Sequence, residues 1–470
     1  MGTISTAFSI MTQALDADQA ALNVVANNVA NANTPGYTTE TATFQQNPPI
    51  EAGGVSNGDG VTETGATSAR DRVLSERLNQ QQQVASSTGA ELTALNTLQA
   101  LFTPDSGSSS ATAGDISSDL TGFFSSFSSL EANPTDNSLR EEVLSSASTL
   151  AADVSNAAAS LNAQSSALDQ EASGVTSQVN SLTGALAQLN VQIQSTSPGA
   201  DAGTLEDQRQ QDLSQLSQLI GINQITTENN GISVTTTSGQ TLVSEGQSNQ
   251  LTTGAVNGAT HFFVGGADIT TQLASGGGEL GGYLTARDQD IPGVLASLDQ
   301  LAYSVATQVN TLNNTGTDLD GDNGNAGNIF SAPAQVAGSA AAMSVVMVDP
   351  NHIAAAGAGL GTGDNSNATA MAALASQAIV NGDTPTNYFA NFVSVLGSTV
   401  SNVQTENTAA TASVTQLQTQ SNALSSVNLN DQASAMSTLE RSYQAASQVF
   451  TMLNTLMAST LNLGEQSTVS

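Results

Sequence analysis

Only a few side chains in this 470-residue chain have the type and spacing that catalysis or metal binding would require. Its two histidines, His261 and His352, lie far apart in apolar or Ala/Gly-rich surroundings, and we interpret both as structural residues. Cysteine is absent, which excludes disulfides, thiol catalysis and cysteine-based zinc sites. We therefore expect no zinc-type metal site and no thiol chemistry.

Three aspartates, Asp318, Asp320 and Asp322, alternate as they do in a calcium-binding loop. The EF-hand pattern also requires glycine at its sixth position and glutamate at its twelfth. Those two positions hold Asn323 and Ile329 here. We therefore interpret the aspartates as part of a loop turn and predict no metal site.

Gly54, Ser56 and Gly58 match the G-x-S-x-G spacing of a hydrolase nucleophile elbow. That elbow requires a strand before the serine and a helix after it, whereas turn residues flank this segment, so we interpret it as a plain loop. A second glycine-rich segment, 357–363, has no basic residue nearby, which argues against phosphate binding. The sequence thus predicts no catalytic residue and no cofactor.

The elements that could position functional side chains are mainly helical, and the longest lies in the middle of the chain. From Val143 to Ile193 apolar residues recur in alternating steps of four and three, with Ser165 as the polar exception. This heptad spacing indicates a helix that packs along other helices and is roughly 75 Å long if it is continuous. Gly174 and Gly184 each weaken it by about 1 kcal/mol, which leaves a kink or a break open.

Helical seams also occur at both ends of the chain. The N-terminal seam consists of Ile4, Phe8, Met11, Leu15, Leu22, Val25 and Val29. The C-terminal seam includes Met436, Leu439, Tyr443, Phe450, Leu453 and Met457. Because neither helix is apolar enough elsewhere to fold alone, we predict that the two helices pair with each other. The alternative is an ordinary amphipathic helix packed on the core of its own domain.

Between these seams the chain alternates helical and extended segments. Further helices are predicted at 68–101, 115–133, 203–220, 283–313, 368–380 and 386–424. The period changes from helical to alternating at 222–275, where Asn229-Asn230-Gly231 predicts a hairpin-type turn. Residues 316–365 are rich in Gly, Asn and Ala, with one strand expected at 343–348.

The predicted fold class is mainly α with inserted β, arranged in nested domains that the chain leaves and re-enters. Its parts are paired N- and C-terminal coiled-coil-like helices, a long-helix bundle and a small β-rich tip. The expected domains are a terminal assembly domain (1–67 with 425–470), a long-helix bundle (68–221 with 276–315 and 366–424) and a β-rich outer module (222–275 with 316–365).

The charge balance restricts the partners of the chain. Seven basic residues, all arginine, stand against 40 acidic ones, for a formal net charge of -33. Such a surface repels nucleic acid and anionic lipid headgroups, so we expect neither as a partner. No window of about 18 apolar residues predicts membrane insertion. Because the first basic residue is Arg70, we expect export, if it occurs, to proceed without a cleaved signal peptide.

The N-terminal helix is predicted to end in the segment 26–37, ANNVANANTPGY. Asparagine side chains compete with the backbone for hydrogen bonds and so favour helix ends. Four of them occur here: Asn27, Asn28, Asn31 and Asn33. Pro35 and Gly36 suit the two central positions of a type II turn, and Tyr37 then opens an extended segment.

This segment resembles the N-terminal signature of the bacterial flagellar axial proteins, the family of rod, hook and hook-associated proteins. Residues 426–430 followed by 439–445 resemble the C-terminal signature of the same family. The interior resembles hook-associated members in particular. The segments that carry this resemblance lie in order along the chain: 58–61, 69–72, 130–143, 205–209, 220–221 and 278–288.

The resemblance implies a structural protein of the hook–filament junction and not an enzyme. It implies export as an unfolded chain through the flagellar type III channel, with an export chaperone and the export apparatus as partners. Outside the cell, the copies would form a ring with hook protein on one side and the next hook-associated protein on the other. The terminal seams and the signature residues would carry this assembly.

Two alternatives stay open. A different axial protein, such as a hook protein, is expected to have a larger β-rich share and no long central helices. A secreted enzyme with an unrecognised site would depend on a residue such as Ser56, and changing that residue would abolish its activity.

Overall fold

The computed structural model describes residues 2–52, 55–103, 116–196, 201–256 and 258–466. Over these residues the chain is mainly helical, with long helices at both ends and four small antiparallel sheets. The predicted fold class, mainly α with inserted β, is confirmed. No helix in the described part of the chain is both long and apolar enough to span a membrane.

The N-terminal elements are α1 (Gly2–Ala30), β1 (Glu40–Gln46), β2 (Ile50–Ala52), β3 (Val55–Asn57) and β4 (Val61–Ser68). The next four along the chain are α2 (Arg72–Leu101), α3 (Ile116–Ala132), α4 (Asn137–Thr196) and α5 (Thr204–Leu219). Seven short strands follow: β5 (Ile222–Thr226), β6 (Ile232–Thr236), β7 (Thr241–Ser244), β8 (Gln247–Ser248), β9 (Leu251–Val256), β10 (Ala259–Val264) and β11 (Ala267–Asp268). The last helices are α6 (Thr270–Ala274), α7 (Gly278–Thr285), α8 (Ile291–Thr315), α9 (Ser366–Ala373), α10 (Pro385–Ser425) and α11 (Leu429–Gln466).

Helix α4 is continuous for 60 residues, or roughly 90 Å. Its predicted seam is buried along nearly its whole length, from Val143 to Ile193, both with 0% exposure. The helix runs through Gly174 and Gly184 without a break. Apolar packing along α4 therefore offsets the roughly 1 kcal/mol of helix stability that each glycine costs.

The first apolar cluster surrounds the N-terminal half of α4 and joins it to α2, α3, α8 and α10. Its centre is aromatic: the ring centroid of Phe123 lies 5.3 Å from that of Phe127 and 5.4 Å from that of Phe330. All three side chains are fully buried. Because Phe330 comes from the irregular segment 316–365, this segment is part of the helical core.

The second apolar cluster surrounds the C-terminal half of α4 and joins it to α5, α6, α7 and the strands β5, β6, β7, β9 and β10. Asparagines on α4 attach the sheets, since the Asn190 amide donates to the carbonyl of Ile232 (2.8 Å) and the Asn180 amide to that of Leu251 (2.8 Å). In β6, Ile232, Val234 and Thr236 face the interior together, as their alternation predicts.

The packing differs from the predicted β-rich outer module in one respect. Residues 222–275 lie in the second cluster, whereas Ile329, Phe330 and Met343 of the segment 316–365 lie in the first. The strand expected at 343–348 is reduced to a single bridge between Phe330 and Val345. The apolar side chains of this Ala/Gly-rich segment pack against helices. Residues 343–348 therefore have no continuous partner strand. The rest of the domain division stays a prediction.

Three carboxyl groups lie near one another: Glu91 on α2, Asp290 just before α8 and the exposed Glu406 on α10. Burial, together with the charges of Asp290 and Glu406, raises the pKa of Glu91 to about 7. Burial also raises the pKa of Asp290 to about 6. At pH values between the ordinary and the raised pKa, Glu91 and Asp290 therefore stay protonated in the folded chain, whereas they lose their protons in the unfolded chain.

Glu91→Gln is expected to stabilise the chain at alkaline pH and to have no effect in acid. Since the folded pKa lies above the ordinary value of 4.5, stability falls as pH rises between about 4.5 and 7. We expect the free energy of unfolding to rise by about 1–2 kcal/mol at about pH 8. This is less than the full pKa shift would give, because solvent screens a side chain that is only half-buried. Thermal melts at pH 8 and pH 4, with the exposed Glu76→Gln as control, test this; equal gains at both pH values would contradict it.

Candidate assembly site

The two terminal helices lie antiparallel against each other. The ring centroids of Phe8 and Phe450 are 4.4 Å apart near one end of the pair, and the side chains of Asn28 and Gln432 are hydrogen bonded at 3.1 Å near the other. The structure therefore brings the predicted N- and C-terminal seams together within one chain.

The pairing covers these seams only in part. The most buried described residues of α1 are Ala17, Ala21, Val25 and Asn28, of which only Val25 belongs to the predicted seam. The seam residues with intermediate burial are Ile4, Phe8, Met11, Leu15, Leu22, Met436, Leu439, Phe450 and Leu453. Three others are exposed: Val29 at 40%, Tyr443 at 38% and Met457 at 41%. A second stripe on α11, with Met452 at 57% and Leu456 at 55%, is also uncovered.

One signature asparagine, Asn28, holds the terminal helices to the strand that follows. Its side-chain amide donates to the carbonyl of Glu40 (2.8 Å) and to the Gln432 side chain (3.1 Å). Its side-chain oxygen accepts from the backbone N–H of Glu40 (3.0 Å) and from the Tyr37 hydroxyl (2.8 Å). With 1% exposure, this amide uses all its hydrogen-bonding capacity to join α1, β1 and α11.

The other signature residues build the turn that ends α1. The Asn31 side chain donates to the Asn27 side chain (2.8 Å), and the backbone N–H of Tyr37 donates to the carbonyl of Thr34 (3.2 Å). Gly36 has φ +81°, the left-handed conformation that a type II turn requires at its third position. The predicted Pro35-Gly36 turn is confirmed. Asn33 and Pro35 themselves are exposed.

Burial raises the pKa of the Tyr37 phenol to about 12, with further contributions from the carboxylates of Glu40 and Asp207. The phenol therefore remains protonated and keeps donating its hydrogen bond to Asn28.

The terminal unit (α1, β1–β4 and α11) meets the body (residues 72–425) at a polar joint. Arg70 lies at its centre with only 8% of its side chain exposed. Its guanidinium contacts three carboxylates, at 2.6 Å from Glu206, 2.6 Å from Asp207 and 3.6 Å from Asp201. Arg209 and Arg72 also approach Glu206, at 3.7 Å and 3.1 Å.

The strands of the terminal unit bind the same carboxylates. The backbone N–H of Thr38 donates to Asp207 at 2.9 Å, and its hydroxyl contacts the same carboxylate. The backbone N–H and hydroxyl of Ser68 both donate to Asp201 at 2.6 Å. Although burial alone would raise the pKa of Asp201, the bonds from Ser68 and the charge of Arg70 lower it. Within the described residues, neither apolar cluster extends across this joint.

A cavity of about 610 Å³ lies beside the joint, between the signature turn, the start of α2, one face of α5 and the end of α10. Its lining is rich in amide and hydroxyl side chains, among them Asn31, Gln211 and Asn422. In the described part of the chain, ion pairs and hydrogen bonds therefore hold the terminal unit on the body, and no apolar cluster joins the two.

The residues that suggested chemistry in the sequence have structural surroundings. Ser56 lies in strand β3, which pairs with β2 and leads into no helix, while Gly54 of the same motif lies outside the described residues. His261 is paired with Asp268 at 2.7 Å in the β10–β11 hairpin.

The aspartate-rich loop forms the turn that we predicted. Asp318 accepts from the backbone N–H groups of Asp320 (3.1 Å) and Asp322 (2.8 Å). The ligand atoms of Asp320, Asp349 and His352 lie within 4.8 Å of one another, close enough to share a cation. All three side chains are exposed.

Comparisons with known proteins agree with this architecture. The family model described as "Flagellar hook-associated protein FlgK helical domain" matches residues 105–330, and "Flagella basal body rod protein" matches residues 10–38. The first match covers much of the body, and the second covers α1 together with the signature turn.

Three curated relatives carry the same name. Flagellar hook-associated protein 1 of Salmonella typhimurium strain LT2 is 29% identical over 322 residues, covering 66% of this chain and 57% of the relative. The Escherichia coli K12 protein is 28% identical over 326 residues, with coverages of 66% and 57%. The Bacillus subtilis 168 protein is 28% identical over 353 residues, with coverages of 66% and 68%. Over 66% of its length the chain is similar to flagellar hook-associated protein 1.

A solved structure has a similar fold. The flagellar hook junction protein FlgK from Burkholderia pseudomallei superimposes with a TM-score of 0.65 at 20% identity, covering 73% of this chain and 99% of that one. The chain spans only about 57% of the length of the first curated relatives that it matches.

Several residues of this assembly site were not predicted from the sequence as site residues. Gln432 and Glu40 bind Asn28, and Asp201, Glu206 and Asp207 bind Arg70. One signal was present, since Arg70 and Glu206 both lie in segments that carry the family resemblance. The opposite charges of these two residues could have predicted that the two segments lie together.

Proposed function

We propose that this chain is a structural component of the bacterial flagellum that forms the junction between hook and filament. Similarity to curated relatives named flagellar hook-associated protein 1 supports this. The solved structure with the same fold is that of a flagellar hook junction protein. No catalytic role is part of the proposal.

The observation that carries the proposal is the incomplete covering of the terminal helices. A single chain leaves Tyr443, Met452 and Leu456 between 38% and 57% exposed along one long helix. Covering such side chains contributes about 25 cal/mol per Å² of apolar area removed from water. Contacts between the terminal helices of neighbouring copies therefore supply the free energy of assembly.

The partners follow from this arrangement. Copies of the chain form a ring, with hook protein on one side and the next hook-associated protein on the other. An export chaperone and the flagellar export apparatus handle the chain before assembly, and its location is outside the cell, at the hook–filament junction.

The test is a chain that lacks residues 1–37 and 425–470. Because both apolar clusters consist of body residues, we expect this truncated chain to melt cooperatively, within about 4 °C of the main transition of the full chain. It should restore no filaments in a strain that lacks its junction protein, whereas the full chain should restore them.

Two results would contradict the proposal. If the truncated body does not fold, the terminal helices belong to an intramolecular bundle. If the full chain, expressed and exported, restores no filaments, a junction role is wrong.

A further inference from the structure

A shallow groove of about 480 Å³ lies between the first turns of α2 and the last turns of α10. Its floor is apolar and open to solvent, with Val73 62% exposed and Leu424 57% exposed. Arg77 forms its rim together with Asp71, whose carboxylate caps α2 by accepting from the backbone N–H groups of Val73 and Leu74. Exposed aliphatic side chains next to a cation indicate a contact surface for a partner that is apolar and acidic.

The charge on this rim is unusual for the chain. Among the described residues, no carboxylate lies within 4.0 Å of the Arg77 guanidinium, although acidic residues number 40 and basic residues only seven. Arg140, Arg209 and Arg287 are buried, and Arg70 is nearly so. Arg77 is therefore one of the few cations that a neighbouring copy, with its net charge of -33, can reach.

The matching surface lies on the β1–β4 ribbon of the terminal unit. Phe44 of β1 is directly opposite Glu63 of β4, so the two side chains lie on the same face of the ribbon. Phe44 is 42% exposed, and Glu63 is exposed as well. An aromatic ring next to a carboxylate complements the groove, which offers aliphatic side chains next to a guanidinium.

Position relative to the joint favours this match. Phe44 lies four residues along β1 from Glu40, or about 13 Å. The groove spans the first two turns of α2 beyond its cap Asp71, or about 10 Å. Both surfaces therefore lie close to the joint but on different units of the chain. In a ring, one surface of each copy contacts a different surface of the next copy. The groove and the ribbon face lie at similar distances from the joint, so the groove of one copy can meet the ribbon face of the next.

Another exposed apolar and acidic surface is less suitable. Val348 is 92% exposed beside Asp349, but Arg140 near the start of α4 binds the adjacent carbonyls of Pro350 and Ile353. This surface lies at the end of α4 remote from the joint, roughly 80 Å away along that helix.

We infer that the α2–α10 groove binds the Phe44–Glu63 face of the ribbon of the adjacent copy, with Arg77 paired to Glu63 across the interface. This rests on the proposed function, since it requires that copies stand side by side in a ring. It adds a lateral contact at the joint to the contacts of the terminal helices.

A charge exchange tests the inference in the full chain. Arg77→Glu should reduce filament restoration in a strain lacking its junction protein by about tenfold, because two carboxylates then face each other. Adding Glu63→Arg should return it to within about twofold of the unchanged chain. The matched control adds Glu141→Arg, an exposed acid on α4, which makes the same charge change and should not rescue.

Single cysteines test the geometry directly, because the natural chain has none. Co-expressed Leu424→Cys and Phe44→Cys chains should form disulfide-linked dimers in isolated flagella. Val395→Cys, also exposed on α10 but roughly 44 Å further along it, should form none with Phe44→Cys.

The outcomes distinguish a failure of the lateral contact from a failure of the proposed junction role. If the unchanged chain restores filaments and Arg77→Glu does so equally well, the lateral contact is wrong and the junction role stands. If Arg77→Glu fails but Glu63→Arg does not rescue it and no crosslink forms, the ribbon is not the occupant. If the unchanged chain restores nothing, the proposed function itself is wrong.

Discussion

Arg70→Met should release the terminal unit from the body. The substitution keeps most of the side-chain length but leaves Asp201 and Asp207 without their cation and Glu206 with only Arg72 and Arg209. Removing one partner from a buried ion pair costs about 3–5 kcal/mol, because the remaining charges are left desolvated and unpaired. At 8% exposure, Arg70 belongs to this buried class.

The expected effect is local because no apolar cluster of the described residues crosses the joint. We expect chymotrypsin to cleave after Tyr37 at least about tenfold faster than in the unchanged chain, since the turn opens when the joint opens. The main thermal transition, which reports the body, should move little. Filament restoration should be lost, because the terminal helices are no longer held at a fixed angle to the body.

Arg72→Met is the matched control. Arg72 contacts the same Glu206 at 3.1 Å, but half of its side chain is exposed. An exposed ion pair contributes about 0–1 kcal/mol, so cleavage after Tyr37 should change less than about fivefold. Equal effects of the two substitutions would show that the burial of Arg70 does not determine the strength of the joint.

Local periodicity predicted the helices well. The steps of α4 from Val143 to Ile193 were visible because one side of a long helix must remain apolar along its whole length. The stop after α1 was visible because Pro35 and Gly36 restrict the backbone whatever the tertiary context. Such features depend on neighbours in sequence and can be read from it.

The joint could not be predicted in the same way. Arg70 and Glu206 are 136 residues apart, and nothing in the spacing of either segment indicates the other. Burial also differed from the expected seam, since Ala17 and Ala21 are more deeply buried than the larger Leu15 and Leu22. An apolar seam predicts one packing face of a helix and gives no information on small residues that another part of the fold covers.

The segment 316–365 shows a third limit. Its composition suggested surface β structure, yet Phe330 and Met343 complete the first apolar cluster. An Ala/Gly-rich chain without periodicity can cover a helix bundle in an irregular conformation if its backbone groups find partners. Asn310 on α8 supplies them here, since its side chain accepts from the backbone N–H groups of Ile329 and Phe330 at 3.0 Å.

Asn28→Asp should separate α11 from α1 while leaving the body folded. The substitution hardly changes the shape of the side chain, but it replaces the donor to the Glu40 carbonyl and the Gln432 side-chain oxygen with a carboxylate oxygen. Two acceptors then face a buried charge at a position that is 1% exposed in the unchanged chain. An unpaired buried charge of this kind costs about 3 kcal/mol or more.

Trypsin provides a specific measurement, because the chain has only seven basic residues and Arg441 lies on α11. We expect cleavage at Arg441 to be at least about tenfold faster in Asn28→Asp, while the thermal transition of the body is unchanged. Asn23→Asp makes the same chemical change at an exposed position of α1 and should leave cleavage within about twofold. If both variants were cleaved at the same rate as the unchanged chain, the apolar contacts of α1 with α11 would suffice without Asn28. The asparagine of the signature would then act only in the turn and not in holding the two terminal helices together.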